Sequence, residues 1–254
     1  MQVGLLGCGV MGSAVARRIG DKASWMFYNR TVDKAKELSK ELGGRVAKSM
    51  EELAEKCDII ILGVKPNNLD LASDGLSAIP DDKLVISLLG GVRQEELRSA
   101  FPNCHIARIL PNIPLSYGEG VVGVYDDPHL GKDQRKIIGS LLDNMGLVLW
   151  MDENKLAAMS ALAGSGPGFV YLLLEAFTEA GIAMGLTPSE ALSMASQTFR
   201  GASIMAQKSQ KHPAELKWQV TSPGGSTIAG LVEMETKKVR SGIMNGILKT
   251  WGAH

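Results

Sequence analysis

Cysteine is scarce in this chain, and aromatic residues are few. The three cysteines, Cys8, Cys57 and Cys104, are odd in number and far apart, which excludes a disulfide framework and suits a reducing compartment. The histidines His105, His129, His212 and His254 do not fall at ligand spacing, so no metal site is legible. No sign of charge dominates: 27 Lys and Arg balance 27 Asp and Glu, leaving no basic field to gather nucleic acid. Met1 runs directly into an apolar strand pattern with no basic n-region or cleavage site, so a cytoplasmic protein is expected. The longest apolar segment, 161–186, carries Glu175, Glu179 and several glycines. It is expected to be a buried or interface helix rather than a membrane span, with no membrane partner.

What is present divides into two halves. From 1 to 151, short β-branched runs alternate with amphipathic stretches, the pattern of an α/β, Rossmann-type doubly wound sheet. Strands are predicted at 3–6, 24–28, 45–47, 59–64, 84–88, 105–110, 121–124 and 147–150. Ser49 and Glu52 form a predicted capping box that opens a helix over 50–56. From 152 to 254 strand signals stop, and segments of helical period are broken at Gly166-Pro167, Thr187-Pro188, His212-Pro213 and Pro223, predicting an all-helical second domain. Within 169–184, Leu172, Leu173, Leu174, Phe177, Ile182 and Met184 spread around the helix. A domain of about 100 residues hides such a helix poorly, so a partner chain is inferred.

Gly7-Cys8-Gly9-Val10-Met11-Gly12 follows a predicted strand and opens a predicted helix, the context in which GxGxxG binds a dinucleotide. Gly7 permits the tight turn, Gly9 admits the pyrophosphate, and Gly12 lets helix and strand pack closely. Cys8 reads as a small filler with no base to activate it. Where NAD-binding folds place an acid after the second strand, this chain has Asn29-Arg30-Thr31. Loss of the acid favours NADPH, because a carboxylate repels a 2′-phosphate that Arg30, Thr31 and Asn29 would attract. An exposed loop arginine is the plainer alternative. Val64-Lys65-Pro66 ends the strand candidate 59–64, at the edge where open sheets bind ligands.

The run from Val220 to Leu231 places four hydroxyl residues around a Pro223-Gly224-Gly225 turn and then restarts a helical pattern. Ser226 and Thr227 are expected to cap that helix. A carboxylate would be held on its first N–H groups, with Ser222, Gly224, Gly225, Ser226 and Thr227 as the binding residues. A Gly-Gly turn alone would fit an ordinary helix corner.

The whole dodecapeptide resembles the signature of pyrroline-5-carboxylate reductases, which make L-proline. The resemblance extends through Val64-Lys65-Pro66, Ser87 to Gly91, Pro111-Asn112, Ala163 to Pro167, the stretch from Gln197 to Ala202, and His212 to Leu216. It implies NADPH-dependent hydride transfer to the C5=N carbon of 1-pyrroline-5-carboxylate, with Gly90, Gly91 and Asn112 beside the cofactor. Thr227 is implied to hydrogen-bond the ring nitrogen. It also implies a homodimer whose interface forms the substrate site, often assembled into decamers. Met50, Gly168 and Trp218 depart from the family pattern. Two other readings compete. A hydroxy-acid dehydrogenase of similar plan would need a lysine base, for which Lys155 is the candidate, and a non-catalytic NADP sensor would not need the hydroxyl-rich loop.

Overall fold

The computed structural model describes residues 1–251; His254, and with it the end of the second expected domain, lies outside them. All eight predicted strands form: β1 (Gln2–Leu6), β2 (Ser24–Tyr28), β3 (Arg45–Val46), β4 (Ile59–Leu62), β5 (Leu84–Ser87), β6 (His105–Pro111), β7 (Gly120–Tyr125) and β8 (Gly146–Met151). They make one sheet in the order β3-β2-β1-β4-β5-β6-β7-β8. Strands β1 to β6 run parallel, so their carboxyl ends share one edge. Strand β7 pairs antiparallel with β6, and β8 runs parallel to β7. Short connections suffice for antiparallel neighbours, and only residues 112–119 separate β6 from β7.

Helices α1 (Val10–Ile19), α2 (Val32–Leu42) and α6 (Lys132–Leu142) cover one face, and their buried residues join Val3, Leu5, Phe27, Ile61 and Val122 in one core. Helices α3 (Met50–Lys56), α4 (Leu69–Gly75) and α5 (Gln94–Ala100) cover the other, over Leu6, Ile60, Leu62 and Val85. Strand β4 is Ile-Ile-Ile-Leu with every residue buried, the near-continuous apolar run expected of a strand covered on both faces. Each such side chain contributes roughly 1.5–3 kcal/mol of burial.

The capping box at α3 forms with one change. Glu52 N–H donates to Ser49 Oγ, but the Glu52 carboxylate accepts from the Lys48 N–H rather than from Ser49.

Two compact units divide between Gly164 and Ser165. The expected division lay at 151/152, where strand signals stop. The packing division falls later because α7 (Glu153–Met159) docks on the sheet: Leu156 is fully buried, and Arg108 on β6 pairs with Glu153 Oε1 at 2.6 Å. A π turn over Ser160–Gly164 follows.

The second unit is helical throughout its described residues: α8 (Gly166–Ala183), α9 (Pro188–Ser209), α10 (Pro213–Gln219), α11 (Ser226–Thr236) and α12 (Val239–Trp251). Pro167, Pro188 and Pro213 sit in first turns, where the missing N–H costs nothing, while Pro223 lies in the turn before α11; Thr187 closes a full capping box with Glu190 at α9. Helices α8 and α9 pair through Phe177 and Phe199, edge to face at 5.0 Å. Much apolar surface stays open: Tyr171, Leu172, Met194, Leu248 and Trp251 are all exposed, and neither α11 nor α12 buries a residue. By length and composition alone the run Glu153–Ala183 could cross a membrane, but the π turn interrupts it.

Candidate active site

The glycine loop lies between the ends of β1 and β4. Gly7 has φ +101° and a Cβ there would meet the Gly63 backbone at 2.7 Å, while a Cβ on Gly12 would strike the Gly7 carbonyl. Both are therefore glycines by necessity. At Gly9 a Cβ would meet only Gly63 O at 3.9 Å, so this residue leaves open space in front of α1 instead of filling it. Gly9 is the N-cap of α1 and no side chain caps that end, which leaves the first-turn N–H groups of Val10, Met11 and Gly12 for an anion. Val10 is exposed at the helix start and Met11 packs on the core.

A cleft of about 630 Å³ opens at this edge, lined by Gly7, Gly9, Asn29, Arg30, Thr31, Val64 and Lys65 from the predicted set. Met50, one of the departures from the family pattern, lines it too, as do Lys34, Asn67 and Asn68, which no motif marks in the sequence. No Asp or Glu is among its walls. Cys8, Val10, Met11, Gly12, Pro66, Gly90, Gly91 and Asn112 are not wall residues. Burial raises the Cys8 thiol to about 11 against the opposing pull of Lys34, so it stays a neutral filler. Gly90 and Gly91 are exposed in the loop after β5, and Gly91 takes φ +78°. Pro66 opens a 3-10 turn, Pro66–Asn68, which Lys65 caps.

Two asparagines are placed where expected but face inward. Asn29 Oδ1 accepts the Cys8 N–H at 2.9 Å and its Nδ2 donates to Thr31 O at 2.9 Å, so its amide braces two loops rather than standing free for a phosphate. Asn112 is buried, with Oδ1 accepting the Val121 N–H and Nδ2 donating to Ala163 O, each at 2.8 Å.

In the second unit, the turn before α11 has Gly224 at φ +68°, and a Cβ on Gly225 would collide with Ser222 Oγ. Gly225, not Ser226 or Thr227, is the N-cap, and no side chain caps the helix. Ser226 and Thr227 instead occupy the first turn, because the Gly225 N–H bonds back to Ser222 O and the helix starts directly after Gly225, earlier than a cap at Ser226 or Thr227 would place it. The result is a helix start with its donors open and Ser222, Ser226 and Thr227 exposed around it. Lys155, the alternative base, is exposed in the first turn of α7 with its ammonium 3.0 Å from Asp152. Among the described residues no group of three His, Cys, Asp or Glu is placed to hold a metal.

A family model for pyrroline-5-carboxylate reductase dimerisation matches residues 153–253, and one for coenzyme F420-dependent NADP oxidoreductases matches 2–91. Pyrroline-5-carboxylate reductase of Arabidopsis thaliana is 32% identical, over 97% of this chain and 92% of the relative. That of a Synechocystis species is 31% identical over 97% and 94%. Among solved structures, a pyrroline-5-carboxylate reductase from Coxiella burnetii superposes with a TM-score of 0.88 at 27% identity, covering 99% and 96% of the two chains. The Plasmodium falciparum enzyme, with NADP bound, gives 0.86 at 28% identity over 100% and 96%.

Proposed function

The chain belongs to the pyrroline-5-carboxylate reductase family and carries out the NAD(P)H-dependent reduction of 1-pyrroline-5-carboxylate to L-proline; from that premise we propose how its residues divide the work. Reduced nicotinamide, when bound, supplies the hydride that reaches the C5=N carbon. The residues present fit the coenzyme: Gly9 keeps the approach to α1 clear, and the cleft beside it offers cations and no acid. NADPH is the preferred coenzyme, with Arg30 and the start of α2 taking its 2′-phosphate. Val64 and Lys65 border the same cleft. Gly90, Gly91 and Asn112 serve the nicotinamide end, Asn112 by holding the backbone of Val121 and Ala163 in place.

The carboxylate of the substrate sits on the open N–H groups at the start of α11, with Ser222, Gly224, Gly225 and Ser226 shaping the cradle. The Thr227 hydroxyl bonds the ring nitrogen. No titratable side chain lies in 220–227, so positioning and desolvation of the iminium are this loop's contribution. The observation that carries this reading is the glycine-capped start of α11, a helix end left open where a side-chain cap would normally close it.

Residues 1–151 act as the nucleotide-binding domain and 152–254 as the substrate and dimerisation domain. The enzyme is an oligomer. Its minimal unit is a homodimer that covers the apolar faces of α8, α11 and α12, and a decamer is its higher assembly. The cytoplasm is its compartment. Purified protein is expected to oxidise NADPH faster than NADH when 1-pyrroline-5-carboxylate is added, with L-proline as product. A preference for NADH, or no turnover, contradicts the reading.

A further inference from the structure

Glu153 stands in no motif, yet one of its oxygens joins three elements. Its Oε1 accepts from Arg108 Nη1 on β6 at 2.6 Å and from the backbone N–H of Gln94, the first residue of α5, at 3.3 Å. Leu6, Leu62, Ser87 and Arg108 form one row across β1, β4, β5 and β6, and the first three end their strands. Arg108 is therefore level with the start of the loop after β5, the loop that carries Gly90 and Gly91. Its side chain is only 8% exposed, and Glu153 is the one carboxylate paired with it among the described residues. Burial pulls the Arg108 pKa down, and the Glu153 charge is the largest opposing influence. A buried cation with one partner holds that partner in place, because separating the two leaves a charge uncompensated in a low dielectric. The Gln94 N–H is one of the donors that a helix start leaves open, and Gln94 is buried, so its acceptor must come from outside α5. The Gln94 side chain bonds instead to Ile106 O and Asp127. Helix α7 lies along β6 and β7, since a Cβ on Gly123, which pairs with Leu110, would strike Leu156 and Met159.

We propose that Glu153 is a positioning residue for hydride transfer: held by Arg108, it anchors the Gln94 N–H and so fixes the loop after β5 against the nicotinamide. This rests on the role proposed above for Gly90 and Gly91 at the nicotinamide end. Only Val92 and Arg93 separate Gly91 from the anchored N–H, so a slip at the start of α5 passes directly to the two glycines.

The test compares Glu153→Gln with the double variant Arg108→Met and Glu153→Met, each assayed well below its Tm. Glu153→Gln keeps an oxygen for Gln94 but leaves Arg108 without a countercharge, so Tm should fall while kcat stays within about threefold of the wild type. The double variant removes both charges and the oxygen together. Its Tm should stay near the wild type, while kcat at saturating NADPH and 1-pyrroline-5-carboxylate falls by about 5- to 50-fold. Calorimetric binding of adenosine 2′,5′-bisphosphate, which lacks the nicotinamide, should be unchanged in both. With NADPH deuterated at the transferred position, the isotope effect on kcat should be at least as large in the double variant as in the wild type, since hydride transfer is the step slowed. An undiminished kcat in the double variant overturns the proposal, as does a smaller isotope effect or a kcat that merely follows Tm across the variants. Gly90→Leu tests the underlying role of the loop: a Cβ there meets nothing within 4 Å, so the fold accepts it, and the side chain should raise KM for NADPH or lower kcat. Wild-type kinetics in Gly90→Leu overturn the nicotinamide placing and this proposal with it. An impaired Gly90→Leu beside an unimpaired double variant overturns only the role of Glu153.

Discussion

The Cys8 backbone N–H donates to Asn29 Oδ1 at 2.9 Å, across 21 residues, and ties the loop after β1 to the loop after β2. The same amide donates to Thr31 O, so one side chain sets the spacing between the glycine loop and Arg30-Thr31. Asn29→Ala removes both bonds and should weaken NADPH and NADH alike, by about 5- to 30-fold for a lost contribution of roughly 1–2 kcal/mol. Asn29→Asp keeps the acceptor for Cys8 but adds a negative charge beside Arg30, and should penalise NADPH more than NADH. Initial-rate kinetics with both coenzymes separate the two. Unchanged kinetics of Asn29→Ala with both coenzymes would show that the amide has no bracing role.

Thr227→Val keeps the branched shape in the first turn of α11 and removes only the hydroxyl. Because Thr227 is exposed, Tm should change little. The kcat/KM for 1-pyrroline-5-carboxylate should fall by roughly tenfold or more, the loss expected for about 1.4 kcal/mol or above at a polar contact with the reacting nitrogen. An undiminished kcat/KM removes Thr227 from the reaction.

Asp127 is nearly fully buried after β7, and its carboxylate accepts from Arg98 and Gln94 at 2.6 Å and from the His129 N–H at 2.9 Å. Burial pushes its pKa up, but these donors outweigh it and hold the carboxyl below the usual Asp range. A pKa depressed in the folded state stabilises above the unfolded value and is lost as pH falls through the folded one. Asp127→Asn should therefore lower stability at pH 7 by about 1–3 kcal/mol, and the gap from wild type should close in acid below the Asp range. Thermal unfolding from pH 7 down to 3 checks this; a gap constant with pH would mean that the charge contributes nothing.

Leu172 on α8 and Leu248 on α12 are 62% and 56% exposed in the isolated chain. Apolar surface on this scale marks an interface. Leu172→Glu with Leu248→Glu should shift the oligomer towards monomer in sedimentation velocity and lower Tm at low protein concentration. An unaltered sedimentation coefficient would place the interface elsewhere.

The order and type of the elements were legible because they follow from short-range periodicity: β4 reads as apolar on both faces, and α3 opens at its Ser49 cap in the structure as in the sequence. Gly7 and Gly12 were legible for the same reason, since a strand, a tight turn and a helix admit few residues at those points. Side-chain direction was not. Asn29 and Asn112 carry amides suited to a coenzyme, and only the packing of distant backbone showed them already bonded to Cys8, Thr31, Val121 and Ala163. The cap of α11 moved from Ser226 or Thr227 to Gly225 because the bond from Gly225 to Ser222 decides where the helix begins, and three candidates within three residues carry no periodic signal. The sequence alone determined which segments become helix or strand, because hydrophobic spacing and turn chemistry act within a few residues. Tertiary structure decided which polar groups remain free to bind, because that depends on partners supplied from across the fold.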